Sequence, residues 1–296
     1  MLLWVYSGIL KKNMISVKSE LEFNLKREFR SFRPLPGGSI ASSFHAETTR
    51  GEHYFVKVYD GSNSYAASEV TGLNEIRKAA VIRTPDVIFS EGNLLVLEYI
   101  SEGRSSNEFW ERFGLEFAAL HRINGSFFGF SENNFIGLTP QINTPSASWS
   151  DFYMTRRLLY QIKLAEKKGG AGSLLSSEFV KAEKRIRDIT ESYNATRSLL
   201  HGDLWSGNYL CGERGVPVLI DPAVYYGDRE ADLAMTKLFG GFDQRFYSAY
   251  TESYPPEPGW QEREPVYKLY HVLNHYNLFG ETYLNQALSI LRKYTG

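Results

Sequence analysis

The sequence predicts an α+β chain of two lobes. A small strand-rich N-terminal lobe with one long helix occupies residues 1–100, and a larger, mostly helical lobe occupies residues 101–296. Three observations lead there. Short alternating or β-branched runs crowd the first hundred residues around a single long helical repeat at Tyr65–Ala80. The polar stretch Ser101-Glu102-Gly103-Arg104-Ser105-Ser106 then marks a change of composition. Beyond it, nearly every long segment has helical spacing.

In chain order, Met1–Leu10 is apolar and Lys11-Lys12 follows, the reverse of a secretory signal's order. Residues 1–13 therefore read as an extension of the first helix or an upstream start, with Met14 an alternative initiator. Ser16–Arg30 places Leu21, Leu25 and Phe29 on one helical stripe. Phe32–Phe44, with Pro34, Pro36, Gly37 and Gly38, reads as strand, loop, strand. In the strand His53–Tyr59, alternation puts Phe55, Lys57 and Tyr59 on one face and Tyr54, Val56 and Val58 on the other. Helix Tyr65–Ala80 follows, its apolar stripe running through Ala66, Val70 and Leu73. Val87–Phe89 and Leu94–Ile100 are two strands joined by a turn. The helices expected next are Asn107–Ile123, Trp149–Lys168, Ser176–Tyr193, Asp228–Phe239, Phe242–Tyr254 and Glu264 to the end, with a flexible glycine-rich loop at Lys168–Ser173. A strand-rich lobe beside a helical one suggests a ligand cleft at their junction.

A net charge of −1 gives no electrostatic reason to expect a nucleic-acid or membrane-surface partner. No apolar run approaches the roughly 18 residues of a membrane span. Cys211 is the only cysteine, so no intramolecular disulfide can form, which fits a reducing cytoplasm.

The richest motif is Leu200-His201-Gly202-Asp203-Leu204-Trp205-Ser206-Gly207-Asn208, followed by Val218-Leu219-Ile220-Asp221. Tyr209–Cys211 reads as a short strand, residues 212–215 as a turn, and Val216–Ile220 as the returning strand. Asn208 then precedes the outgoing strand and Asp221 follows the returning one. Antiparallel pairing brings directly opposed Cα atoms to roughly 4.5–5.5 Å. An amide and a carboxylate at the open end of one hairpin make a hard-oxygen site suited to Mg²⁺. Asp203, on the loop entering that hairpin, is the candidate catalytic base. Phosphoryl transfer from ATP needs such a trio, one acid to accept the attacking hydroxyl's proton and an amide and an acid to hold the metal.

On the nucleotide side, Gly37, Gly38 and Ser39 either fold over phosphate oxygens or form a plain hairpin turn. Lys57 is a candidate phosphate ligand, and Glu69 on the next helix is its expected ion-pair partner. Glu75 is expected to face solvent. Glu98, Tyr99 and Ile100 form either an adenine-binding hinge or simply a strand end.

With these residues in order, the chain resembles the fructosamine kinase (ketosamine-3-kinase) family, similar in fold to aminoglycoside phosphotransferases and protein kinases. The most specific stretches are His201–Asn208, Asp221–Ala234 and Leu238–Phe242, with further matches at Phe128-Gly129-Phe130 through Gln141 and at Tyr270–His275 with Leu278-Phe279-Gly280. The resemblance implies a protein-kinase-like fold. It implies ATP- and Mg²⁺-dependent phosphorylation of the 3-hydroxyl of a ketosamine, a glycated amine or glycated protein side chain, after which the phosphate is eliminated and the amine freed. By that likeness Asp203 is the base, Asn208 and Asp221 hold Mg²⁺, and Lys57 binds phosphate. Many family members have Cys where this chain has Ser39, so thiol regulation there is not expected. Only six residues separate Asp221 from Asp228, too few for the activation segment of a protein kinase. The rival readings are a kinase of the same fold acting on an aminoglycoside, choline or a related alcohol, and a nucleotide-binding protein without catalysis.

Trp205 has two readings, stacking on the substrate or filling the core behind its loop. His271 is read as polar packing or as lining the substrate side of the cleft, and Asn274 is placed on the substrate side. His271 and His275 have the spacing of a zinc pair but no third ligand. Asp228 and Asp232 are read as carboxylates that cap a helix and complement its dipole. His121 reads as a hydrogen-bonded packing residue.

Overall fold

The computed structural model describes residues 15–36, 40–60 and 64–295. The expectations for residues 1–13 and for Gly37, Gly38 and Ser39 lie outside them. The chain divides into two compact units. The first comprises the described residues through Val70 with Pro85–Ser101, and the second comprises Thr71–Thr84 with Glu102 onward.

The first unit is a five-stranded antiparallel sheet in the order β1-β2-β3-β5-β4. Its strands are β1 (Phe29–Leu35), β2 (Ala41–Thr48), β3 (His53–Tyr59), β4 (Val87–Glu91) and β5 (Leu94–Glu98). The alternation read in the sequence sets its faces. Val56 is buried with Phe44, Ala46, Leu94 and Val96, while Tyr54 and Val58 pack partly buried against them. Leu21, from helix α1 (15–25), completes that core. This helix stops earlier than the Leu21–Leu25–Phe29 stripe suggests. Lys26 takes a left-handed backbone, φ +54°, and Phe29 opens β1 instead. Helix α2 (Ser64–Ala79) follows β3.

The second unit is mostly helical. Helix α3 (Asn107–Leu120) is capped by Ser106, whose hydroxyl accepts from the Phe109 N–H at 3.3 Å. It buries Phe109, Phe113 and Phe117, one face at i, i+4 and i+8, the last two against Phe246. The segment expected as one helix over 149–168 is three pieces: α4 (Trp149–Phe152), a π-helical turn (Tyr153–Leu158) and α5 (Leu159–Lys168). The glycine-rich loop is shorter than expected, because α6 (Gly172–Glu191) already begins within it. Helices α7 (Arg229–Thr236), α8 (Gln244–Ser253), α9 (Trp260–Phe279) and α10 (Leu284–Arg292) complete the unit. The last two were expected as one helix; Gly280, at φ +87°, separates them.

Three two-stranded ladders are threaded between these helices. They are β6 (Asn134–Ile136) with β7 (Thr139–Gln141), β8 (Ser198–Leu200) with β11 (Tyr225–Gly227), and β9 (Tyr209–Cys211) with β10 (Pro217–Leu219). The last two ladders carry the candidate site. Buried Leu199, Leu200, Leu219 and Tyr225 root them in the same apolar cluster as Phe113, Phe152 and Leu273.

Candidate active site

The hairpin predicted from sequence forms. Leu219 pairs with Tyr209, and beyond that pair the Ile220 N–H donates to the Asn208 carbonyl at 3.1 Å. Asn208 and Asp221 therefore stand at the hairpin's open end. The Asn208 Nδ2 donates to the Asp203 carbonyl at 2.8 Å and to its Oδ2 at 3.3 Å. A carbonyl can only accept, so this bond fixes which end of the amide is nitrogen. The Asn208 Oδ1 is left without a donor among the described residues. Asp203, Asn208 and Asp221 are thus brought together.

The loop before Asp203 is held by groups the sequence reading did not assign to it. Gly202 has φ +83°, and a Cβ there would lie 2.0 Å from the Ala223 carbonyl oxygen. Only glycine fits this turn. His201 is fully buried. Its Nδ1 accepts from the Asp203 N–H at 3.3 Å, and its Nε2 lies 2.9 Å from the Ile220 carbonyl. These partners require a neutral ring with the proton on Nε2, and burial lowers its pKa in agreement.

Asp232 lies in the first turn of α7, as read from the sequence, and has a further role. It was read as a carboxylate complementing a helix dipole. Its Oδ2 accepts from the His201 N–H at 2.6 Å and its Oδ1 from the Gly202 N–H at 2.8 Å. His121 Nε2 lies 3.2 Å from Oδ2, and His121 Nδ1 lies 2.7 Å from the Tyr250 hydroxyl. Burial alone would raise the Asp232 pKa, but His121, His201 and the Gly202 N–H hold it below the usual carboxylate value. Asp228 does cap α7, accepting from the Glu230 N–H at 3.0 Å. Burial, then the charges of Asp221 and Asp232, push the Asp203 pKa well above its usual value, while the Asn208 amide acts in the other direction.

Trp205 is 37% exposed, so it does not fill the core behind its loop. Gly207 packs beneath the indole, where a Cβ would lie 2.5 Å from the ring. The Trp205 ring begins a row of aromatics. Phe239 lies edge-on to it at 5.9 Å, His275 lies 4.9 Å from Phe239, and Phe279 lies 5.5 Å from His275. Phe279 is 54% exposed.

The face of α9 that carries His271 and Asn274 is buried, which favours the packing reading of His271. Asn274 bonds Gln161 at 3.1 Å and the Ile136 carbonyl at 3.4 Å. His271 is held neutral, its pKa lowered to about 3 by burial and by His275. Among the described residues no group of three or more His, Cys, Asp or Glu side chains gathers around His271 and His275, and the His275 Nδ1 lies 2.8 Å from the His271 carbonyl.

In the first unit, Lys57 Nζ donates to both carboxylate oxygens of Glu69 at 2.9 Å, and both side chains are largely buried. The Tyr59 hydroxyl also bonds Glu69. Glu75 does not face solvent as expected; it accepts from the Tyr226 hydroxyl at 3.0 Å within the second unit. At the end of β5, the Glu98 N–H already donates to the Asp86 carbonyl at 2.8 Å and is not available to a ligand. The Tyr99 ring lies against His45 at 4.6 Å, and Ile100 is buried.

This antiparallel sheet followed by a helical unit is the fold of kinase-like phosphotransferases. An aminoglycoside phosphotransferase structure superposes with a TM-score of 0.64 at 16% identity, over 95% of this chain and 99% of that one, a likeness of fold alone. A Thermobifida fusca crystal structure assigned as a fructosamine-3-kinase superposes with a TM-score of 0.84 at 30% identity, over 94% of this chain and 97% of that one. A protein from Synechocystis described as a probable ketoamine kinase is 42% identical across 88% of this chain and 89% of its own length. The chloroplastic protein-ribulosamine 3-kinase of Arabidopsis thaliana is 36% identical across 87% of this chain and 80% of its own length. The fructosamine kinase family profile matches residues 12–295. The chain belongs to the fructosamine kinase family and is a phosphotransferase.

Proposed function

We propose that the protein transfers the γ-phosphoryl group of ATP to the 3-hydroxyl of a ketosamine, leading to release of the amine. The observation that carries the reading is the meeting of Asp203 with Asn208 and Asp221 on one hairpin and its entry loop. The names of the relatives supply the substrate class, a ribulosamine- or fructosamine-type adduct on a small amine or a protein side chain.

The residues present fit a magnesium ion. The Asn208 amide is turned so that Nδ2 serves Asp203 and Oδ1 remains an open oxygen donor, and the Asp221 carboxylate supplies a second hard oxygen. Bound there, Mg²⁺ would neutralise charge on the phosphates during transfer. Asp203 accepts the proton of the attacking hydroxyl. Its neighbours prepare it: Asn208 orients the carboxylate, and His201 and Asp232 fix the backbone that carries it. Lys57 binds phosphate oxygens, with Glu69 fixing its ammonium. Trp205, with Phe239 and His275 behind it, offers an aromatic face to the sugar or to the amine it bears.

The test is ATP consumption against a panel of ribulosylated, erythrulosylated and fructosylated amines, with the product's phosphate located by NMR. Phosphate on O3 of a ketosamine supports the reading. Transfer only to aminoglycosides or choline, or ATP binding with no transfer, overturns it.

A further inference from the structure

Arg157 lies on the π-helical turn and is fully buried. Such turns inside α-helices are frequently found at functional sites. No carboxylate pairs with the guanidinium among the described residues. One nitrogen donates to the Ile142 carbonyl at 2.6 Å and another to the Asn143 Oδ1 at 2.7 Å. The rings of Tyr225 and Phe152 lie 4.1 Å and 4.6 Å from its centre. Its Nε has no acceptor among the described residues. A buried cation without a counter-charge is a poor way to stabilise a core, where an apolar chain of the same length would do better. What Arg157 holds explains it better than what it adds to packing.

The bonds lead to the segment after Asp221. Asn143 Nδ2 and Gln141 Nε2 both donate to Asn134 Oδ1, each at 2.8 Å. Asn134 Nδ2 donates to the Val224 carbonyl at 2.7 Å, and Gln141 Nε2 also donates to the Ala223 carbonyl at 3.0 Å. The Tyr270 hydroxyl completes the set by donating to Gln141 Oε1 at 2.8 Å. The backbone so gripped needs gripping. Asp221 has φ +53°, left-handed for a residue that is not glycine. Such conformations persist only where the surroundings over-determine them. Upstream, Ile220 is tied to Asn208; downstream, the Ala223 N–H donates to the His201 carbonyl at 2.8 Å.

We infer that Arg157 is a positioning residue: acting through Asn143, Asn134 and Gln141, it clamps the Ala223–Val224 backbone and so keeps Asp221 in its left-handed conformation. The role deepens the reading of Asp221 proposed above. Its kinetic consequence rests on that reading, and its backbone consequence does not.

The test compares Arg157→Met, Arg157→Lys and Gln141→Met by hydrogen exchange and steady-state kinetics. Both methionine variants should speed exchange at the Ala223 amide about tenfold, leave α8 and α10 at wild-type rates, and lower kcat about tenfold with the ATP KM within about twofold. Arg157→Lys, which cannot reach Ile142 and Asn143 together, should fall between them and wild type. Should Arg157→Met fail to fold, Gln141→Met decides. Unchanged exchange at Ala223 in a folded methionine variant overturns the role, as does faster exchange spread evenly through the second unit. Faster local exchange in a protein that phosphorylates no ketosamine would leave the clamp standing and remove the proposed function instead.

Discussion

The Asp232 carboxylate offers the sharpest mutational test of how the loop before Asp203 is built. It is 1% exposed and accepts from the His201 and Gly202 N–H groups, with His121 as a third partner. Replacing it with alanine strands these donors in the interior. Each buried donor left unmade costs about 1–3 kcal/mol, so three together imply about 3–9 kcal/mol, less where water enters the vacated space. Asp232→Asn keeps the shape and one acceptor oxygen but turns an NH2 toward a donor, which implies about 2–3 kcal/mol. Urea unfolding of the wild type and both variants, analysed at a common m-value, reads these differences as shifts in midpoint. Turnover should fall further than stability accounts for at temperatures where both variants remain folded, because Gly202 is the residue before Asp203. An Asp232→Ala protein within about 1 kcal/mol of wild type would refute the argument that this carboxylate holds the loop.

Three further outcomes are expected. Glu69→Gln should leave the fold intact and raise the ATP KM, measured by initial rates, because Lys57 loses the charge that fixes its ammonium. An unchanged KM would contradict the role given to the pair. Trp205→Ala should raise the KM for a ketosamine about tenfold while sparing that for ATP, and equal effects on the two would remove Trp205 from the acceptor side. Acid should destabilise the protein through its buried neutral histidines. The unfolded His271 titrates near 6.5 and the folded one at about 3, so the stability it contributes is complete above 6.5 and is lost as pH falls toward 3, amounting to about 2 kcal/mol by about pH 5. His271→Leu should flatten the dependence of Tm on pH over that range, and an identical slope in the variant would show that another group governs it.

Much of this was legible in the sequence because the informative signals are local. The hairpin announces itself through the apolar return strand and the polar residues at its open end. The Lys57–Glu69 pair follows from strand alternation and one helix. The groups that went unassigned act across long separations. Asp232 has the position of an ordinary first-turn acid, and nothing near it in sequence shows that its acceptors face His201 and Gly202, about thirty residues upstream. Arg157 sits in a stretch with helical spacing, and the π-turn that redirects its side chain inward shifts the register without a proline or glycine to mark it. His271 and Asn274 were placed by motif, but on a helix of twenty residues the motif does not say which face is interior. Burial decides that: His271 is buried, and the half-buried His275 is the ring that packs with Phe239 and Phe279.

The central claim is that Asp203 moves a proton while Asn208 and Asp221 hold the metal. Asp203→Asn separates these roles most directly, in a single-turnover experiment with Mg²⁺-ATP and a ribulosylated amine. The variant should bind nucleotide with an affinity within about threefold of wild type and lose about 10²-fold or more in the rate of phosphoryl transfer. Transfer at the wild-type rate by a folded Asp203→Asn protein would contradict the account.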